Sequence, residues 1–255
     1  MKAFTKDISA LLSTTQLPEV HARLRHTLAQ RGLMVLDGEP GVGKTAAVRA
    51  FCQTLDPTTC TVFYGADPGL TPRGLYRLLG SALGLETPWS GSECSRIVRA
   101  ALLARCESGA VPLLILDEAD ELPTATLAEL RVLQNAAMDQ ISPAAVVLIG
   151  SPQIRQRLRL QTLASLAQRV TTAYRLVGLT AQETADYVDL QLSLDGTPRT
   201  TFTPAAIEDL FHLTRGVPRL INRLGQTALL AATASDPPVV EPRTIKAAAI
   251  DCGLA

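Results

Sequence analysis

The feature that most constrains this chain is a glycine-rich segment at residues 38–45, which reads Gly38, Glu39, Pro40, Gly41, Val42, Gly43, Lys44 and Thr45. It matches the pattern G-x-x-x-x-G-K-[ST], in which N–H groups of the loop and of the helix that follows surround phosphate groups. An apolar run at residues 33–36 precedes it, and helical spacing begins at Thr45. We therefore predict a strand, a phosphate-binding loop and a helix, with Lys44 at the β and γ phosphates of ATP and Thr45 as a ligand of Mg²⁺.

Apolar runs alternate with helical patterns as far as residue 177. Further runs typical of buried strands lie at residues 61–64, 113–116, 146–149 and 173–177, and helical spacing appears at 45–55, 71–83, 93–107 and 124–138. Strands that are apolar throughout and separated by helices predict a parallel sheet that is covered on both faces. The predicted fold class is therefore α/β.

Beyond residue 178 the strand pattern stops and only helical signals follow. Four helices are indicated, beginning at the capping box of Thr180 and Glu183, at Thr203 with Pro204, after Pro218 and near Pro242. We expect the first, third and fourth of them to reach about residues 192, 232 and 252. The predicted domains are an α/β core with the phosphate loop at residues 1–178 and a helical lid at residues 179–255.

The composition excludes several classes of protein. With 47% hydrophobic and 19% charged residues and a net charge of zero, the chain does not have the composition of a disordered protein. No apolar run approaches the ~18 residues that span a bilayer, and the N-terminus has no signal-peptide pattern. The 5 cysteines are scattered without a C-x-x-C pair, which disfavours a disulfide framework or a zinc site. We therefore expect a cytoplasmic protein with no membrane partner.

A second motif at residues 113–118 is an apolar strand that ends in two carboxylates. Asp117 at the carboxyl end of the strand is expected to hold the Mg²⁺ shell together with Thr45. Glu118 is expected to polarise the water that attacks the γ-phosphate. Asp120 and Glu121, which follow, are predicted to be surface cap residues of the next helix.

With these motifs in place, the chain resembles the AAA+ ATPases, and more narrowly the MuB/TnsC group of transposition ATPases and the related ExeA-type ATPases. The resemblance covers residues 17 to 250. It depends most on the segments at residues 115–120, 128–134, 147–153, 166–169 and 216–222. It implies a parallel sheet in the order 5-1-4-3-2 with a C-terminal helical lid, and homo-oligomers in the form of a ring or helical filament.

The resemblance also implies an arginine finger, a residue that stabilises the γ-phosphate in the neighbouring subunit's site. Arg169 has the expected position between a helix and the last strand, and Arg155, Arg157 and Arg159 are alternatives. Residues 140–182 contain no acidic residue. We interpret this stretch as an inter-subunit face.

Two sensor positions follow from the same resemblance. Arg219, in the segment at residues 216–222, corresponds to the sensor-2 arginine, which contacts the bound phosphates and couples them to the lid. The sensor-1 position, which usually holds Asn or Thr, is assigned to Ser151, with Gln153 as the alternative. Adenine is expected to contact residues 17–21.

A candidate DNA surface lies on the helix predicted at residues 71–83. Arg73 and Arg77 share its outer face and could contact successive phosphates. The resemblance implies that Arg73 and the region of Ser90 or Ser92 follow the DNA backbone. For each of these residues a solvated surface position is the alternative. Backbone contacts carry no base code, so binding to duplex DNA should be sequence-independent and salt-sensitive.

The function implied by the resemblance is ATP-dependent regulation of DNA transposition. The chain would oligomerise on duplex target DNA, recruit and activate a transposase, and dissociate after hydrolysis. The alternatives are a secretion-type or signalling ATPase that acts on protein partners, and a free-standing NTPase switch. An ExeA-type protein would be expected to add a transmembrane segment and a wall-binding module, and a replication initiator a winged-helix or helix-turn-helix domain. None of these is found in this sequence.

Overall fold

The computed structural model describes residues 15–136, 141–233 and 238–254. Its sheet has five parallel strands: β1 (Leu33–Asp37), β2 (Cys60–Gly65), β3 (Val111–Leu116), β4 (Ala145–Gly150) and β5 (Val170–Arg175). Their order is β2-β3-β4-β1-β5. This is the predicted order 5-1-4-3-2 read from the other edge, so the predicted α/β fold is confirmed.

The strands differ in burial according to their place in the sheet. The inner strands β1 and β4 are buried at every position. The edge strand β5 alternates between half-buried and exposed residues. The sequence placed this strand at residues 173–177, which is wrong by a few residues, because continuous apolar character marks inner strands better than edge strands.

Among the described residues before 176, the helical elements are α1 (Leu17–Gln30), α2 (Lys44–Cys52), α3 (Pro72–Ala82), α4 (Gly91–Glu107), α5 (Thr124–Leu133), α6 (Gln153–Leu158), the 3₁₀ turn Gln161–Leu163 and α7 (Ala164–Ala167). The helix predicted at residues 124–138 ends earlier, at Leu133. Residues 137 and 138 of the predicted range lie outside the described residues. The buried side chain of Gln134 donates a hydrogen bond from Nε2 to the carbonyl oxygen of Gly32 at 3.1 Å. Ala136 then bridges to Ile141 in antiparallel fashion, so the chain leaves the helix.

The described residues group into two compact units. One contains residues 18–38 and 47–175, which include all five strands, and the other contains residues 15–17, 39–46 and 176–254. In the first unit, a core cluster joins one face of the sheet to α3 and α4 through residues such as Val35, Leu75, Val98 and Leu148. The predicted domain division at residue 178 stays a prediction.

The second unit contains α8 (Ala181–Leu194), a 3₁₀ turn (Arg199–Thr201), α9 (Pro204–Thr214), α10 (Pro218–Ala232) and α11 (Pro242–Asp251). The predicted capping box is present, because Thr180 Oγ1 accepts from Glu183 N at 3.2 Å and Glu183 Oε2 accepts from Thr180 N at 2.9 Å. Thr203 caps α9, with Pro204 as its first residue. None of the helices in the described ranges combines the length and the apolar composition that a membrane span requires.

Candidate nucleotide site

The phosphate loop has backbone conformations that favour glycine. Gly41 and Gly43 have φ angles of +88° and +103°, a conformation that residues with a side chain rarely adopt. Lys44, the first residue of α2, donates a hydrogen bond from Nζ to the carbonyl oxygen of Glu39 at 3.0 Å. The loop therefore precedes a helix N-terminus, as the sequence predicts, and Lys44 bends back over its own loop.

Arg219 lies against this loop, within the same compact unit. Its N–H donates to the carbonyl oxygen of Gly41 at 3.3 Å. A Cβ placed on Gly41 would lie 2.6 Å from Cβ and 3.3 Å from Nε of Arg219, which explains why this position needs glycine as well as a positive φ. The predicted sensor-2 arginine is thus in contact with the phosphate loop, and its role toward the phosphates stays a prediction.

Asp117 directly follows β3, and hydrogen bonds hold both of its carboxylate oxygens. The N–H of Glu118 donates to Oδ1 at 2.9 Å, and the Tyr64 hydroxyl donates to Oδ2 at 3.1 Å. The carboxylate is buried. Burial, together with the charge of Asp117, raises the pKa of Tyr64 to about 12, so the hydroxyl remains a donor at neutral pH. Sequence reasoning missed Tyr64, since nothing in the sequence pairs it with Asp117.

Glu118 has a backbone conformation that is uncommon for its residue type. Its φ is +53°, in the left-handed region, and its side chain is exposed. Strained backbone of this kind is concentrated at functional sites. The conformation turns the chain sharply after the buried strand, and the proposed catalytic carboxylate lies on the exposed side of that turn.

Ser151, the predicted sensor-1 residue, is bound to Asp120. Its N–H donates to Asp120 Oδ1 at 2.8 Å and its hydroxyl donates to Oδ2 at 2.6 Å. The prediction that Asp120 and Glu121 cap the next helix is therefore wrong, because α5 has Pro123 at its N-cap position with no side-chain cap. Asp120 instead connects the loop after β3 to the end of β4. The alternative sensor residue Gln153 is exposed and opens α6.

Asp37 is a buried carboxylate at the end of β1, directly before the phosphate loop. Its side chain is 0% exposed, and it binds two arginines. Arg155 donates to Oδ1 from Nε and from Nη2, each at 2.5 Å, and Arg175 donates to Oδ2 from Nε at 2.7 Å. We call these three residues the Asp37 triad. Sequence reasoning missed it, because it joins three separate elements at the carboxyl edge of the sheet.

The triad bears on the choice of an arginine finger. Arg155 is bound to Asp37 of its own chain, and Arg157 donates to the carbonyl oxygen of Asp120 at 2.5 Å. Arg159 is exposed at the end of α6. Arg169 is half-buried and lies between α7 and β5, at the position that the sequence predicts. The assignment of the finger to Arg169 stays a prediction.

The candidate DNA residues lie on α3 and at the start of α4. Arg73 and Arg77 are exposed on α3, and the Arg73 guanidinium lies over the ring of Trp89 at 5.4 Å from its centroid. Trp89 is 86% exposed and immediately precedes Ser90, whose hydroxyl lies 3.1 Å from that of Ser92. Arg73 and the two serines thus belong to one exposed surface, to which Trp89 adds an aromatic face.

The stretch expected to contact adenine contains His21, on α1. Its Nε2 lies 3.2 Å from the carbonyl oxygen of Ala47, and its ring packs against Phe51 with centroids 5.6 Å apart. These contacts join α1 to α2. A contact between adenine and residues 17–21 stays a prediction.

The donor set of these motifs fits a nucleotide and Mg²⁺. Asp117 offers a buried carboxylate, and Thr45 offers a hydroxyl at the start of α2; hard oxygen ligands of this kind suit Mg²⁺. The glycine conformations of the loop bring backbone N–H groups close to phosphates. The loop therefore suits phosphate groups, and Asp117 suits a divalent cation; that they hold one nucleotide together stays a prediction.

The parallel sheet, the phosphate loop after β1 and the carboxylates after β3 define a P-loop nucleotide-binding protein. The profile of the family described as "AAA domain" matches residues 26–158, more than half of the sequence. The chain therefore belongs to the AAA-domain family. Membership implies nucleotide binding, usually with Mg²⁺, and the fold is that of ATPases of this family.

The chain is also similar to two curated proteins. General secretion pathway protein A of Aeromonas hydrophila is 37% identical over 207 residues, which are 80% of this chain and 37% of that protein. Mu-like prophage FluMu DNA transposition protein B of Haemophilus influenzae is 27% identical over 150 residues, which are 59% of this chain and 48% of that protein. This chain thus covers less than half the length of either relative. The predicted relation to MuB-like and ExeA-like ATPases is confirmed.

Among solved structures, the fold is similar to that of Cdc6p from Pyrobaculum aerophilum. The TM-score is 0.73 at 18% identity, over 96% of this chain and 71% of that one. A likeness at this level of identity concerns the fold alone.

Proposed function

We propose that this protein is an ATPase that assembles on duplex DNA in the ATP-bound state and activates a transposase. It contacts DNA without sequence specificity, and hydrolysis leads to disassembly. The observation that carries the proposal is the similarity to a DNA transposition protein B, combined with AAA-domain membership.

The nucleotide step uses the residues of both motifs. Lys44 neutralises the β and γ phosphates, and Thr45 and Asp117 provide oxygen atoms for the cation. Mg²⁺, when bound, neutralises charge that develops on the phosphate oxygens. Glu118, exposed after its sharp turn, accepts a proton from the attacking water. Hydrolysis by this chain then follows the usual course of P-loop ATPases.

Assembly is expected to depend on the nucleotide through two arginines. Arg219 contacts the phosphate loop and therefore responds to whether the loop holds a nucleotide. Arg169 supplies positive charge to the γ-phosphate in the neighbouring subunit.

The DNA-binding part of the proposal concerns Arg73, Arg77, Ser90 and Ser92. Arginine side chains and serine hydroxyls are common donors to phosphate oxygens. The sequence has no net charge, so a single subunit should bind DNA weakly. Many subunits in one assembly would bind multivalently, and DNA affinity should therefore require ATP.

The experiment is fluorescence polarisation of a random-sequence duplex with a non-hydrolysable ATP analogue, over a range of salt concentrations. The double variant Arg73→Gln and Arg77→Gln should weaken binding and lower the salt slope by about 0.9 per lost phosphate contact. The matched control is Arg199→Gln with Arg243→Gln, two exposed arginines of the second unit. Equal binding by the two double variants would show that α3 is not the DNA surface.

A second candidate function is favoured by the higher identity to general secretion pathway protein A. In that case the chain is an ATPase that acts on protein partners. The chain would then bind ATP and assemble, but it would not bind the duplex, even at low salt where contacts to phosphates are strongest. A nucleotide-dependent rise in polarisation contradicts this alternative.

A further inference from the structure

The hydroxyl of Tyr64 binds a carboxylate on the neighbouring strand's loop. β2 is an edge strand, and Tyr64 is 51% exposed. Its hydroxyl donates to Asp117, the buried carboxylate that follows β3. A hydrogen bond to a charged acceptor is about twice as strong as one between neutral groups, and it fixes the orientation of the carboxylate.

The register of the sheet explains this contact. Tyr64 pairs with Ile115, and Asp117 is two residues further along on the same face of the sheet. Neighbouring strands lie about 4.8 Å apart and each residue rises about 3.3 Å, so such diagonal neighbours are roughly 8 Å apart at Cα, a distance that an aromatic side chain can span. The N–H of Asp117 also donates to the carbonyl oxygen of Gly65 at 2.8 Å. β2 therefore binds both the backbone and the side chain of Asp117.

We propose that Tyr64 is a positioning residue that orients Asp117 for the nucleotide-bound divalent cation. Two hydrogen bonds hold the Asp117 carboxylate, one from the Tyr64 hydroxyl to Oδ2 and one from the Glu118 N–H to Oδ1. Because different oxygens accept the two bonds, the carboxylate cannot rotate without losing one. This inference rests on the proposed nucleotide site and extends it to a residue outside the two motifs.

The test compares Tyr64→Phe with Tyr76→Phe. Tyr76 is a matched control, because its hydroxyl also donates to a carboxylate, Glu129 Oε1 at 2.7 Å. Phenylalanine keeps the ring in each case and removes only the hydroxyl. Binding of a fluorescent ATP analogue is measured without divalent cation and during a Mg²⁺ titration. Electron paramagnetic resonance then counts Mn²⁺ bound in the presence of the analogue.

Tyr64→Phe should bind the analogue as the wild type does without divalent cation. Its half-saturating Mg²⁺ concentration should rise about 10-fold, as is typical when a residue that orients a metal ligand is removed. Tyr76→Phe should match the wild type in both measurements. An unchanged Mg²⁺ titration for Tyr64→Phe, or an equal shift in both variants, overturns the inference and leaves the nucleotide site intact. A wild-type chain whose analogue binding ignores Mg²⁺ overturns the inference and the proposed Mg²⁺ site together.

Discussion

Asp37→Asn should destabilise the fold through the Asp37 triad. The substitution keeps the shape of the side chain but removes its charge, and it presents an amide N–H₂ to a guanidinium group. Breaking a fully buried ion pair by removal of one partner typically costs about 3–5 kcal/mol. The side chains of Arg155 and Arg175 are 36% and 51% exposed, so water stabilises the arginines that lose their partner. We therefore expect a loss of about 2–3 kcal/mol in the free energy of unfolding.

Thermal and urea unfolding followed by circular dichroism measure this loss. For a chain of this size, about 2–3 kcal/mol corresponds to a fall in Tm of about 4–12 °C. Glu93→Gln is the control, because it breaks an exposed ion pair with Arg96 and should cost less than about 1 kcal/mol. Asp37→Asn with the same stability as Glu93→Gln would refute the reasoning that the buried carboxylate holds the two arginines.

Three further substitutions test the nucleotide cycle. Lys44→Ala should abolish binding of a fluorescent ATP analogue and assembly on size-exclusion chromatography; assembly that persists would contradict nucleotide control. Glu118→Gln should bind ATP but remain oligomeric, so light scattering after addition of ATP should decay more slowly than for the wild type, and an equal decay would remove Glu118 from catalysis. Arg169→Ala should lower ATP turnover by roughly 10³-fold or more without loss of ATP binding, whereas Arg159→Ala should not, and the reverse outcome would assign the finger to Arg159.

The fold could largely be predicted from the sequence, because inner strands and capped helices have local signals. β1 and β4 are continuous apolar runs, and the capping box at Thr180 and the Thr203–Pro204 pair mark their helices directly. The predicted position of β5 is wrong because an edge strand is only half apolar. The end of α5 depends on Gln134, whose hydrogen bond to Gly32 joins residues far apart in sequence.

Local patterns predict the site where its residues are contiguous, and the family resemblance adds Arg219, which contacts the phosphate loop. The phosphate loop and the pair Asp117 and Glu118 are sequence motifs, and the structure has them at the carboxyl ends of β1 and β3. The bonds from Tyr64 to Asp117 and from Ser151 to Asp120 cross between strands. Such contacts depend on strand order and register, which no local pattern encodes.

We propose that ATP controls assembly on duplex DNA. Negative-stain electron microscopy of the protein with random-sequence duplex, with and without a non-hydrolysable ATP analogue, tests it most directly. We predict filaments or rings on the DNA only when the analogue is present. Assembly that ignores DNA, or no assembly under either condition, would contradict the claim and favour an ATPase that acts on protein partners.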